Sequence, residues 1–273
     1  MTDQAARYDR IALGYARWWA PVLAPAVGEL LDDVAPRIDG VHELVDIGAG
    51  TGQLALNALV RWPDVSIVGV DASAGMCAVA DSEADRVLPA RERPRFRSAV
   101  GQADRLPFPD GAFDAALSSF VFQLVPNRAR ALREARRVLR PGGQLAYVTW
   151  LEDARLFLPD STFDEVLDEF DFEPRESDGR SGDVPSVDRA AGELRRAGFS
   201  GVTAHGGVLE HRFTVDGYVA FLTEFDEETL FAELEPDVRE SLISTLRMRL
   251  STLTGDEMTM RYPIVFASGR RAS

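Results

Sequence analysis

The sequence predicts an α/β fold, a doubly wound and mostly parallel sheet with an N-terminal helical segment and a helical cap. Three observations carry that expectation. Residues 43–52, ELVDIGAGTG, read as a short apolar strand entering a glycine turn, and 53–62 continue as a helix. A second apolar run, 65–70, ends on Asp71, 19 residues after Gly52. Strands then alternate with helical stretches as far as Trp150, the order that lays parallel strands side by side with helices on both faces.

The elements follow in chain order. Over 5–37, Ile11, Leu13, Trp18, Trp19, Val22, Leu23, Val27, Leu30, Leu31 and Val34 recur near the helical period, with Pro21 and Pro25 expected as breaks. Ser73 is placed to cap a helix from about Ala74. A short strand is expected near 95–100 and another over 112–117. Asn127 starts a helix that buries Ala131, Leu132, Ala135, Val138 and Leu139 and turns arginines outward. Arg140-Pro141-Gly142-Gly143 stops it, and 144–150 read as a strand. The alternation then breaks at 152–185, which is acidic and carries Phe157, Phe163, Phe170 and Phe172 with loosely held glycines at 179 and 182. A helix at 187–197, a strand from Phe199, a helical block over 216–250 and a last strand at 258–267 complete the pattern. The expected organisation is a helical segment at 1–40 over the site, a core at 41–151, the insertion at 152–185, the core continued at 186–212, a helical lid at 213–256 and a strand and tail at 257–273.

Composition narrows the function. The net charge is −14, and all 30 basic residues are arginine. We read the missing lysine as codon bias. From Glu152 to Asp183 there are 12 acidic residues against 3 arginines. Such a segment repels phosphate backbones, which speaks against a nucleic-acid partner. Arg91, Arg93, Arg95 and Arg97 form the best basic patch, read as the solvated edge of a loop. No charged-then-apolar leader opens the chain, and no apolar run approaches the roughly 20 residues of a membrane span; a cytoplasmic protein without membrane contact is expected. Cys77 alone forms no intrachain disulfide and no cysteine metal cluster, and it reads as a small core residue. No metal site is expected.

The glycine spacing speaks to the ligand. It is G-x-G-x-G, with Gln53 where a dinucleotide site places its third glycine. A ligand with adenosine and no pyrophosphate fits better, and S-adenosylmethionine is the common one. Asp71, at the carboxyl end of its strand, stands where such folds bind a ribose.

ELVDIGAGTG, Asp71, GQADRLPFPDGAFDAALSS and EARRVLRPGGQLAYV occur in the order of class I S-adenosylmethionine-dependent methyltransferases. Over residues 8–150 the chain resembles the broad group of ubiquinone and menaquinone biosynthesis methyltransferases. The resemblance implies a seven-stranded Rossmann-like sheet. It implies that Gly48, Ala49 and Gly50 lie against the methionine part of the cofactor. Asp46 either approaches the ammonium group or merely fixes the turn, and both readings stay open. Asp71 and the adjoining Ala72 would hold the ribose. Asp104, beside Ala103, would accept from the adenine amino group under cover of 105–111. Met76 packs on the adenine or in the core. Ser118 and Ser119 would lie beside the sulfonium, through backbone carbonyls. Tyr8-Asp9-Arg10-Ile11-Ala12 and Tyr15 resemble the group's first helix, where Tyr15 would exclude water.

Tyr8, Trp18, Phe120, Gln123 and Trp150 are the candidate acceptor residues. His42 reads as surface, and His205 as structural. His211 is the one candidate general base for a hydroxyl acceptor. Together these point to methyl transfer onto an oxygen, nitrogen or carbon of a small hydrophobic or aromatic metabolite, by a monomer or homodimer. A macromolecular methyltransferase acting on RNA or protein and a non-catalytic cofactor-binding protein are the alternatives. A nicotinamide oxidoreductase is disfavoured by Gln53.

Overall fold

The computed structural model describes residues 3–38, 40–153, 157–172 and 182–272. They divide into two compact units. The first comprises 1–152, 181–207 and 263–273, and the second comprises 153–180 and 208–262.

The first unit is built on a sheet of strands β1 (Glu43–Ile47), β2 (Ser66–Asp71), β3 (Phe96–Val100), β4 (Phe113–Ser119), β5 (Leu139–Trp150), β6 (Phe199–Arg212) and β7 (Thr259–Arg271). Their order is β3-β2-β1-β4-β5-β7-β6. β1 pairs in parallel with β2 and β4, β2 with β3, and β4 with β5, while β7 runs antiparallel to β5. This is the seven-stranded, mostly parallel sheet of a Rossmann-like methyltransferase fold. Helices α3 (Gln53–Arg61), α4 (Ala74–Val87), α5 (Arg128–Val138) and α7 (Val187–Arg196) connect the strands. Ala131, Leu132, Ala135 and Val138 of α5 and Ala190 and Leu194 of α7 bury against Val45, Val68, Ala116, Leu145 and Val265 of the sheet. The two caps expected from sequence are formed. Ser73 accepts from the Met76 amide at 2.9 Å, and Asn127 accepts from the Arg130 amide at 3.0 Å.

Helices α1 (Asp3–Gly14) and α2 (Ala20–Val34) are joined by a π-helical turn, Tyr15–Trp19. The prolines do not break the helix as expected. Pro21 stands in the first turn of α2, where a missing N–H leaves no bond unmade, and Pro25 is carried inside the helix. Local irregularity is taken up by the π turn instead.

Arginines expected in solvent do structural work. Arg93 pairs with Asp81 and Asp85 on α4. Arg95 donates to the carbonyls of Leu59 at 2.6 Å and Pro63 at 3.0 Å, closing the carboxyl end of α3. Gly182 is tightly placed rather than loose, because a Cβ there would lie 1.7 Å from the Gln123 carbonyl oxygen; Gly179 lies outside the described residues.

The second unit contains α6 (Leu158–Glu169), α8 (Val215–Phe221), α9 (Glu228–Glu233) and α10 (Pro236–Leu250). The phenylalanines of the two sequence insertions share one core here. Phe163 stacks on Phe231 at 6.0 Å, Tyr218 meets Phe157 and Phe213 edge to face, and Phe213 tilts against Phe157 and Phe221. Among the described residues no helix is long and apolar enough to cross a membrane.

Gly48 is both tightly packed and left-handed, with φ of +72°. A Cβ there would stand 2.2 Å from Cγ2 of Val121. Gly48→Ala is expected to destabilise the protein by about 2–4 kcal/mol through strain and overpacking. Urea unfolding checks this, and an unchanged midpoint contradicts it.

Candidate cofactor and acceptor site

The site begins with a backbone reversal. Gly48, Gly50 and Gly52 all have positive φ, at +72°, +53° and +86°. The amides of Gly48 and Ala49 both donate to the Val70 carbonyl, at 2.7 and 3.0 Å, so the turn folds across the end of β2. Gly69 permits it, since a Cβ on that residue would lie 2.9 Å from the Cβ of Ala49.

Two carboxylates hold the reversal. Asp71, the last residue of β2, accepts from the Gly50 amide at 2.9 Å through one oxygen and from the Ser73 amide at 2.9 Å through the other. Burial pushes its pKa up, against the pull of those amides. Asp46, 1% exposed, accepts from the Ala55 amide at 3.1 Å. Gly52, at the N-cap of α3, has no side chain to offer, so Asp46 reaches across from β1 to cap that helix. Its other oxygen is buried with no hydrogen-bond partner among the described residues. Burial raises its pKa to about 8, and the neighbouring Asp71 charge adds to the rise. Of the two readings of Asp46, the turn-fixing one accounts for one oxygen only.

A cavity of about 280 Å³ opens beside the reversal, walled entirely by the first unit. On the glycine-turn side stand Tyr15, Gly48, Gly50, Asp71, Ala72 and Met76, joined by Ala103 and Asp104. Met76 is also part of the core. The loop after Asp104 is pinned from α5. Arg137 donates to the carbonyls of Leu106 at 3.1 Å and Phe108 at 2.8 Å, and Glu134 accepts from the Leu106 amide at 3.0 Å. Ala5, Tyr8, Ser119, Phe120, Val121, Leu124, Val125 and Pro126 also line the cavity. Tyr8 meets Tyr15 edge to face at 6.1 Å.

Several expected contacts fall elsewhere. Ser118 spends its hydroxyl on the Ile47 carbonyl at 2.8 Å, and its neighbour Ser119 lines the cavity. Ala49 sits on β2 and is not among the lining residues. Gln123 turns toward β5, accepting from Thr149 at 2.5 Å and donating to the Phe120 carbonyl at 2.6 Å. Phe120 has φ of +54°, and Leu124 bonds back to Val121, so 120–124 form a turn. Trp150 packs behind Phe120 at 4.3 Å and meets Trp19 at 6.4 Å, while Trp18 lies under the Arg17 guanidinium. His211 belongs to the second unit, edge-on to Phe213, and burial lowers its pKa. His205 bonds Asp33 at 2.6 Å. Sequence reasoning missed Leu124, Val125 and Pro126. It also missed Ala5, which the one-turn spacing to Tyr8 would have found.

Residues 45–147 match the family described as the methyltransferase domain. Malonyl-[acyl-carrier protein] O-methyltransferase of Geobacter sulfurreducens is 34% identical over 163 residues, covering 58% of this chain and 56% of that protein. Ubiquinone/menaquinone biosynthesis C-methyltransferase UbiE of Paracoccus denitrificans is 35% identical over 145 residues, covering 52% and 53%. Residues 45–147 are thus a methyltransferase domain, similar to those of the UbiE-like, S-adenosylmethionine-dependent group. The domain's cofactor is S-adenosylmethionine. The chain spans little more than half the length of these curated relatives. In fold, the domain is also similar to the [4+2]-cyclase SpnF, with a TM-score of 0.57 at 20% identity over 92% of this chain and 81% of that one.

The residues of the methyltransferase domain fit that cofactor. A cationic group placed at the unpartnered Asp46 oxygen would relieve a buried carboxylate, and the bare glycine backbone admits a ligand where a Cβ would stand.

Asp46 also gives a stability test. Its ordinary pKa is 3.8 and its folded value about 8. Between those values the folded state holds a proton that the unfolded chain has released, so ligand-free stability falls as pH rises through that window. Asp46→Asn removes this dependence. The variant and wild type are expected to converge below pH 4, with the variant gaining progressively toward pH 8. Parallel urea-midpoint profiles would contradict the assignment.

Proposed function

We propose that this chain transfers the methyl group of S-adenosylmethionine to a small hydrophobic or aromatic acceptor dissolved in the cytoplasm. One observation carries the reading: a single cavity is lined both by the glycine turn with Asp71 and by Tyr8, Phe120, Val121, Leu124, Val125 and Pro126. Apolar walls with a few convergent polar groups suit a small ligand. Net charge of −14 opposes nucleic acid.

When bound, the cofactor supplies an activated methyl on a sulfonium. Asp71 has lone pairs left on both oxygens to accept from the ribose hydroxyls. Asp104 accepts from the adenine amino group, and Met76 packs on the ring. Asp46 offers its unpartnered oxygen to the ammonium group. Ser119 and Phe120, at the end of β4, border the reacting centre, while Tyr8 and Tyr15 exclude water.

The cavity's titratable lining residues are Tyr8, Tyr15, Asp71 and Asp104, with no histidine among them. Burial pushes the Tyr15 hydroxyl up, so it does not ionise at neutral pH. The chain's contribution is therefore alignment of acceptor and methyl with water excluded, an effect worth about 7–11 kcal/mol of barrier. An acceptor that arrives ionised needs no base, and His211 is given no step. The relatives named for quinone C-methylation and for malonyl O-methylation bracket the acceptor chemistry.

Asp71→Ala is expected to weaken S-adenosylhomocysteine binding about 100-fold, the loss of two charge-assisted hydrogen bonds. Asp71→Asn, which keeps an acceptor for the Gly50 amide, should lose less. Calorimetry reads both, and wild-type affinity in Asp71→Ala refutes the ribose assignment. Labelled cofactor offered with phenols, hydroquinones and tRNA tests the acceptor. Transfer to tRNA alone would replace this reading with a macromolecular one.

A further inference from the structure

We propose that Asp9 is a positioning residue for the cofactor: from α1 it clamps the first turn of α4, and through Ser73 it seats Tyr8 and Asp71 on the cavity. The inference rests on the reading that this cavity takes the cofactor.

The Asp9 carboxylate does not line the cavity. One of its oxygens accepts from the Ser73 hydroxyl at 2.6 Å and from the Gly75 amide at 2.8 Å. Those donors hold its carboxyl below the usual range. Ser73 is 1% exposed and fully committed. Its hydroxyl oxygen caps α4 by accepting from Met76 at 2.9 Å, and its amide donates to Asp71 at 2.9 Å. The other oxygen of Asp71 holds Gly50. One chain of hydrogen bonds thus runs from α1 through the α4 cap to the carboxylate assigned to the ribose and on to the glycine turn.

Two further observations give this clamp its importance. The first is the placement of α1. Ala5 and Tyr8 face the cavity, and the other side of the helix borders an open groove of about 990 Å³. Leu13 on α1 and Val60 on α3, both in that groove, are each 76% exposed. A helix with space on two sides has little apolar burial to fix it, so polar ties weigh more in its placement. The second is Gly75. Alanine in a helical turn is favoured over glycine by about 1 kcal/mol. A Cβ at 75, however, would lie 2.9 Å from the Asp9 carbonyl oxygen and 3.0 Å from its Cα. Glycine here admits α1, at a cost to α4.

The test is calorimetric titration of the full chain with S-adenosylhomocysteine, alongside limited trypsin cleavage after Arg7 and Arg10, which are exposed on α1. Asp9→Ala should weaken binding about tenfold, as expected for a lost hydrogen bond to a charged group. Asp9→Asn keeps an acceptor oxygen and should recover most of that loss. Gly75→Ala should weaken binding comparably, although it gives α4 a better helix former. Ligand should slow cleavage at both arginines in wild type, and cleavage of the free protein should be faster in Asp9→Ala and Gly75→Ala. Faster cleavage with wild-type affinity would overturn the proposal, as would wild-type behaviour in both assays. A wild type that binds no S-adenosylhomocysteine would instead sink the reading of the cavity on which the proposal rests.

Discussion

The reversal of the backbone at 48–52 is the constraint on which the site depends. A strand pointing out of a parallel sheet must turn back into a helix within a few residues, and here it does so lying flat on the neighbouring strand. That geometry needs three glycines at positive φ, two amides on the Val70 carbonyl and a missing Cβ at Gly69. It leaves the first turn of α3 without a local cap, because Gly52 has none to give. Asp46 supplies the cap from the strand before. The carboxylate is therefore buried for a structural reason, and its second oxygen is left without a hydrogen-bond partner among the described residues.

The Asp71 charge raises the proton affinity of the buried Asp46, and Tyr15 feels both. Like charges held together in a low-dielectric site destabilise the empty form. On the reading proposed above, a ligand with an ammonium group and a ribose diol would answer both, bringing positive charge to one and hydroxyl donors to the other, and the ammonium would favour release of the proton that Asp46 holds in the empty site.

Much of the first unit was legible in the sequence because its signals are local. Short apolar runs and period-3.6 patterns placed the strands and helices of 43–150, and Ser73 and Asn127 announced their caps. The positive φ of the glycine turn followed from residue type. What was not legible depends on partners distant in sequence. Arg137 reads as a solvated helix arginine until its bonds to the loop carbonyls at 106 and 108 are known. Asp9 and Gly75 lie 66 residues apart, and neither signals the other. The Gln123 amide is spent on Thr149 and on the Phe120 carbonyl, after a left-handed Phe120 that is rare for a bulky residue and that no local pattern announces. Phe157 and Phe163 lie far in sequence from Phe231, Tyr218 and Phe221, and only packing shows them as one core.

The absence of lysine has a structural counterpart that codon bias does not describe. Arg95 and Arg137 each bond two or more backbone carbonyls at once, tying a helix end and a loop that no regular hydrogen-bond ladder reaches. A planar five-donor fork spans such pairs, whereas an ammonium group on a flexible stem does not. Arg137 holds the loop that follows Asp104, so that wall of the cavity is set from α5. The lining at 119–126 is built differently, from the turn after β4, and α1, which adds Ala5 and Tyr8, is tied to α4 through Asp9. One part of the lining is thus fixed by strand ends and guanidinium ties, the other by a left-handed phenylalanine, a short turn and one clamped helix, the parts that change at least cost to the sheet. On the reading proposed above, this division would let the residues beyond β4 vary the acceptor while the seat of the cofactor is kept.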